Sequence, residues 1–77
     1  MRTAFVLLKI LPQHETEVLK IVQSVPQVEE VHGIFGEYDL LVKVVAQDDD
    51  ELEEIVIGRI RGHVGVRHTE TLLSTPF

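Results

Sequence analysis

The stretch Gly36-Glu37-Tyr38-Asp39-Leu40-Leu41-Val42-Lys43-Val44-Val45 constrains the fold more than any other, because it reads as a strand apolar on both faces. Successive strand side chains point to opposite faces of a sheet, so Leu40, Val42 and Val44 ask for cover on one side while Leu41 and Val45 ask for it on the other. Gly36 tolerates positive φ and delivers Tyr38 and Asp39 to the mouth of this strand, where the two side chains diverge. One cover is the chain's own helices. In 77 residues the other is most simply a second copy, which sets a polar loop beside an interface.

A chain of this size is one domain, residues 1–77, and buries only about 60% of its unfolded surface. Its core alone is marginal. The absence of cysteine excludes disulfides, zinc-thiolate sites and thiol nucleophiles, leaves oligomerisation as the further support, and suits the cytoplasm. Thirteen acids against seven bases give a net charge of -6, the wrong sign for neutralising phosphates, so no direct nucleic-acid partner is expected. The apolar opening, Met1 to Leu11, is interrupted by Lys9 and falls far short of a membrane span. It reads as a strand, with no membrane partner. Nothing in the composition calls for a cofactor.

Thr3 to Leu11 forms the first strand, stopped by Pro12. From Gln13 to Ser24, Val18, Ile21, Val22 and Val25 recur at helical spacing, with Glu15 and Glu17 early, where the helix dipole favours anions. Pro26 ends that helix. Val28 to Phe35 reads as a weaker edge strand, turned by Gly36-Glu37 into the strand Tyr38 to Ala46. Asp48-Asp49-Asp50-Glu51 caps a second helix that ends around Gly62, with Leu52, Ile55, Val56 and Ile60 facing inward. Gly58 inside it costs on the order of 1 kcal/mol relative to alanine, which a close approach to the sheet would offset. Val64 to Ser74 is the fourth strand.

The order βαββαβ, with right-handed connections, gives an α+β ferredoxin-like plait: an antiparallel sheet of order 4-1-3-2 with both helices on one face. Ala4, Val6, Leu8 and Ile10 share the helix side with Leu40, Val42, Val44 and Ala46. Phe5, Leu7, Leu11, Leu41 and Val45 leave the opposite face bare apart from Lys9, Lys43 and Asp39. Such a footprint is on the order of 300 Å², the size at which an apolar patch calls for a partner. Face-to-face dimerisation into a dimeric α+β barrel-type assembly meets that need.

Several segments resemble the effector-binding domain of the Lrp/AsnC transcription regulators. They are Gly36 to Val44, then Gly65-Val66-Arg67-His68-Thr69-Glu70-Thr71, the opening Ala4-Phe5-Val6, and Pro12, Glu15, Glu17 and Val18. Because the chain opens on its first strand, it is similar to the stand-alone form, the RAM module without a helix-turn-helix. The resemblance implies dimers that associate into rings, with small molecules, usually amino acids, bound between dimers beside the Gly-x-Tyr-Asp loop. It also implies a full-length Lrp/AsnC regulator as a partner. The passage Arg61-Gly62-His63-Val64-Gly65-Val66 departs from the family's shorter Leu-Pro-Gly-Val.

The candidate ligand-binding residues are Gly36, Tyr38, Asp39, Thr69 and Thr71. An acid at Asp39 suits an ammonium and the amides near Gly36 suit a carboxylate, the two ends of an α-amino acid. The plainer reading is a turn glycine, a packed tyrosine and an Asp39 paired with Lys9 or Lys43. Thr69 and Thr71 lie on one side of the fourth strand, with hydroxyls to orient a ligand, or serve only as β-branched strand residues. His63 and His68 send their rings to different faces, and His14 and His32 are isolated, so neither a metal nor a histidine base is expected. The acid run Asp48 to Glu54 lacks the alternating ligands and glycine of a calcium loop and reads as a dipole-matched helix start.

The leading reading is a non-enzymatic, oligomeric amino-acid-binding module that modulates transcription by sensing an effector or co-assembling with a full-length regulator. Against it stand a small dimeric α+β barrel enzyme of oxygenase or isomerase type, with His68 as its base, and a purely structural assembly partner.

Overall fold

The computed structural model describes residues 1–76. Strand β1 (Arg2–Ile10) leads into helix α1 (Glu15–Gln23), then β2 (Val28–Gly33), β3 (Leu40–Ala46), a second helix and β4 (Val66–Leu73). The sheet runs β2-β3-β1-β4, every neighbouring pair antiparallel, which is the order expected of a ferredoxin-like plait. The register sets Val6 opposite Val42 and Leu7 opposite Leu41.

The two faces of the sheet differ as alternation requires. Ala4, Val6, Leu8, Val42 and Val44 are completely buried beneath Val18 and Val22 of α1 and Leu52, Ile55 and Ile60 of the second helix. Phe5, Leu7, Leu41 and Val45 on the opposite face are only half-buried. At the β2 side of that face Lys43 lies 3.4 Å from Glu29 and 3.6 Å from Glu30, and Glu30 is 2.9 Å from His32. The hydrogen bond from His32, helped by the Lys43 ammonium, holds the Glu30 carboxyl below the usual carboxylate range.

The second helix begins where its acids predict. Asp48 Oδ1 accepts from Glu51 N at 2.8 Å, and Glu51 reaches back to accept from Gln47 N at 3.3 Å. It starts as α2 (Asp49–Glu53) and widens without a break into a π-helical stretch, Glu54–Arg61, rather than staying α-helical to Gly62. The apolar positions explain the change. In an α-helix the residue that returns to the face of Leu52 after two turns lies seven positions on, and that residue is Arg59. Wider turns, closed by i→i+5 hydrogen bonds, delay the return by one residue, so Arg59 is exposed and Ile60 is fully buried. A Cβ at Gly58 would meet nothing within 4 Å, so the expected close approach to the sheet does not occur there.

The close approach is at Gly65 instead. A Cβ on it would stand 2.8 Å from both His14 Cβ and Val18 Cγ2, while its carbonyl accepts from Leu11 N at 2.9 Å. His63 secures this crossing: Nδ1 accepts from Gly65 N at 3.0 Å and Nε2 lies 3.0 Å from Glu17 Oε1 on α1. The passage into β4 is thereby tied to α1.

Candidate functional site

Between β2 and β3 the chain makes a broader loop than a two-residue turn, because β2 stops at Gly33 and β3 starts at Leu40. Gly36 takes φ of 137°, a backbone state open to glycine and strained for other residues. Phe35 beside it projects fully into solvent. Asp39 closes the loop onto the sheet. Its N donates to Leu8 O at 2.8 Å, its carbonyl accepts from Ile34 N at 3.0 Å, and its Oδ2 accepts from Ile10 N at 2.8 Å. The side chain thus takes the β1 donor that β3 does not reach, and the expected alternative of pairing with Lys9 or Lys43 is not what forms. Among the described residues, the N–H groups of Phe35, Gly36, Glu37 and Tyr38 donate to no protein acceptor, and Asp39 Oδ1 accepts no hydrogen bond.

Tyr38 turns the other way, across β1 to the open face of β4. Its hydroxyl donates to Glu70 Oε2 at 3.0 Å, and its ring stacks on His68 with centroids 6.2 Å apart and planes 24° apart. The hydrogen bond to the carboxylate, reinforced by desolvation and by the charges of Glu70 and Glu37, holds the phenol above its ordinary range.

Thr69 and Thr71 pair with Leu8 and Val6, whose side chains are buried, so both hydroxyls lie on the helix side of β4. There they line a groove of about 520 Å³ whose apolar wall is Leu52, Val56, Ile57 and Leu73. Arg61, Asp49 and Glu53 also line it, and Asp49 is taken by Arg2 at 2.6 Å. Within one chain the five expected residues therefore form two groups on opposite faces of the sheet: Gly36, Tyr38 and Asp39 at the loop, Thr69 and Thr71 in the groove. Glu70, His68 and Arg61 were not among the expected site residues. The spacing of two between Thr69 and Thr71 implies that His68 and Glu70 share the other face, but no local pattern announces that Tyr38 crosses a whole strand to meet them. His14, His32 and His63 each have only Glu17 or Glu30 as an acidic partner, and no group of three or more metal-type side chains gathers among the described residues. No helix of the described residues is long and apolar enough to cross a membrane.

Comparison with known proteins agrees with this architecture. A model of the Lrp/AsnC ligand binding domain matches residues 3–75. An uncharacterised HTH-type transcriptional regulator of Pyrococcus horikoshii is 40% identical over 75 residues, 94% of this chain and 50% of that protein, so the chain spans about half the length of this relative. A homocitrate synthase of Sulfurisphaera tokodaii is 45% identical over 60 residues, 78% of this chain and 13% of the synthase. Among solved structures, a Thermus thermophilus protein superposes with a TM-score of 0.93 at 36% identity, covering 100% of this chain and 96% of its own. A Neisseria meningitidis transcriptional regulator, solved with L-Met, gives 0.91 at 19% identity over 97% of this chain and 50% of its own, a likeness of fold alone. With a family model spanning all but the ends of the chain and a fold that superposes on solved structures over its full length, this protein belongs to the Lrp/AsnC ligand-binding domain family.

Proposed function

We propose that this chain is a non-enzymatic effector module. It dimerises through the open face of its sheet, assembles further, and takes a free amino acid beside Gly36, Tyr38 and Asp39, with Thr69 or Thr71 supplied by a neighbouring subunit. It acts on transcription through a full-length Lrp/AsnC regulator and does not contact DNA itself. The observation that carries the reading is the half-used loop: amide donors at Phe35 to Tyr38 beside a carboxylate with one oxygen bound to Ile10 N and the other without a protein partner. Such a pair suits a carboxylate and an ammonium at opposite ends of one small molecule. In keeping with it, the Neisseria regulator of the same fold was solved with L-Met.

The dimer draws support from the open face, where Phe5, Leu7, Leu41 and Val45 are flanked by the Lys43, Glu29 and Glu30 charges on one side and Tyr38, His68 and Glu70 on the other. An apolar centre with a polar rim is how protein interfaces are built. The enzyme reading fares worse. Its cavity between sheet and helices is filled by Ala4, Val6, Leu8 and Val42, all at 0% exposure, and His68 lies on the other face against Tyr38.

Calorimetric titration with the twenty amino acids tests the proposal, with Asp39→Asn as the informative variant. The amide oxygen keeps the bond from Ile10 N while the charge goes. Loss of a charge-assisted hydrogen bond of about 1.5–3 kcal/mol should weaken the best ligand roughly ten- to a hundredfold. Equal affinities would remove Asp39 from the site, and no binding by the wild type would leave the structural-partner reading.

A further inference from the structure

Strand β4 ends the sheet on one side, and no further strand pairs with it among the described residues. One bond defines its free edge. Ser74 N donates to Thr3 O at 2.9 Å, and because bonded and non-bonded pairs alternate along an antiparallel ladder, Leu73 opposite Ala4, Thr71 opposite Val6 and Thr69 opposite Leu8 are non-bonded pairs. The N–H and C=O groups of Thr69, Thr71 and Leu73 therefore point outward, away from β1. The same residues line the groove on the helix side, together with Leu52, Val56 and Ile57 of the second helix. Outward backbone groups and groove wall thus belong to one row. A strand added there pairs its backbone with that row and, since directly opposed side chains share a face, sends every second side chain into the groove. About 520 Å³, at the roughly 150 Å³ that holds a benzene ring, is room for about three large apolar side chains.

We infer that β4 and this groove receive an extended segment of another protein, added antiparallel to β4, apolar at alternate positions and acidic toward its C-terminal end. The inference goes beyond the effector reading and does not depend on it. Charge sets the direction. Arg61 closes the helix that leads into β4, lines the groove, and makes no ion pair among the described residues. At the other end Asp49 is taken by Arg2, and Glu53 lies one helical turn on, so the cationic end of the groove is the one beside the start of β4. An antiparallel segment brings its C-terminal end there. The edge itself is open to pairing: β2 carries Glu29 and Glu30 at its margin, whereas the groove side of β4 presents Thr69, Thr71 and Leu73 with no charge to deter a strand. A second copy paired along the same edge would set its own Thr69 and Thr71 against Leu52, Val56 and Ile57 and leave the apolar wall underfilled, which is why a segment with larger apolar side chains is the better occupant.

Fluorescence anisotropy with the labelled, amidated peptide Leu-Thr-Leu-Thr-Leu-Thr-Glu tests the inference, its leucines placed to oppose Leu73, Thr71 and Thr69 and its glutamate to reach Arg61. Wild type should bind it. N-methylation of the second and third leucines, whose amides face β4, should abolish binding, while N-methylation of the second threonine, whose amide faces solvent, should spare it. Ile57→Asp, at an exposed position, should weaken the complex at least about tenfold with an unchanged circular dichroism spectrum, as loss of one buried apolar contact does. Arg61→Glu should weaken it too, and replacing the peptide's glutamate by lysine should restore binding to that variant. No binding by wild type at about 1 mM peptide, or binding indifferent to the leucine amides, would overturn the inference. So would sedimentation that finds Ile57→Asp smaller than a wild type which excludes the peptide, because that result gives the groove to a second copy.

Discussion

Tyr38 is the sole tyrosine of the chain, and that makes its phenol a direct reporter of the contact across β1. The fold favours the neutral phenol. A raised value means that the stabilisation is fully present below the ordinary tyrosine pKa and is lost as pH rises through the folded value. Absorbance near 295 nm should therefore titrate with a midpoint above the usual value of about 10, and Glu70→Gln should bring it down. A midpoint unmoved by Glu70→Gln would show that the pair does not hold in solution. At this scale the sequence was legible in part. Gly36 announces a positive φ and takes one, and Asp39 announces a site of some kind. That its carboxylate caps Ile10 N was hidden, because the bond spans 29 positions and depends on where two strands part.

Each strand and helix was legible as an element from period and punctuation, while the boundaries moved where tertiary contacts decided them. Val64 is exposed and outside β4 because Gly65 must first pass beneath His14. The second helix shows the same competition. Leu52, Ile55, Val56 and Ile60 were identified as the inward face, yet an α-helical period would have chosen Arg59, and burial of a guanidinium without a partner costs more than a widened turn. Since nothing crowds Gly58, Gly58→Ala should stabilise the protein by about 0.5–1 kcal/mol, read as a higher urea midpoint with unchanged slope. A lower midpoint would mean that the wide turns require glycine's freedom.

For the whole molecule, the sheet order follows from the element order βαββαβ with right-handed connections, and the division into a covered and an uncovered face from alternation in β1 and β3. The threonines and the loop were expected at one site but lie on opposite faces within one chain, a separation set by the pairing of β4 with β1, which local spacing does not carry. The uncovered face makes its own prediction. Leu41→Asp sets a carboxylate at the centre of the proposed dimer interface at a cost of several kcal/mol, and light scattering should find monomer or unfolded chain if the proposed wild-type dimer forms through this face. A native chain that is monomeric at micromolar concentration would refute the interface.

The strand at the far side of the sheet bears on a different hazard, aggregation. β2 is an edge strand whose outward backbone groups are a template for further strands, and its register slips between Val28 and Glu30. Glu29 and Glu30 sit at that slip and charge the margin. Because His32 and Lys43 hold the Glu30 carboxyl below the ordinary glutamate range, its charge outlasts that of an ordinary glutamate as pH falls. A chain with such a margin is steered away from growing by its sheet edge into fibrils.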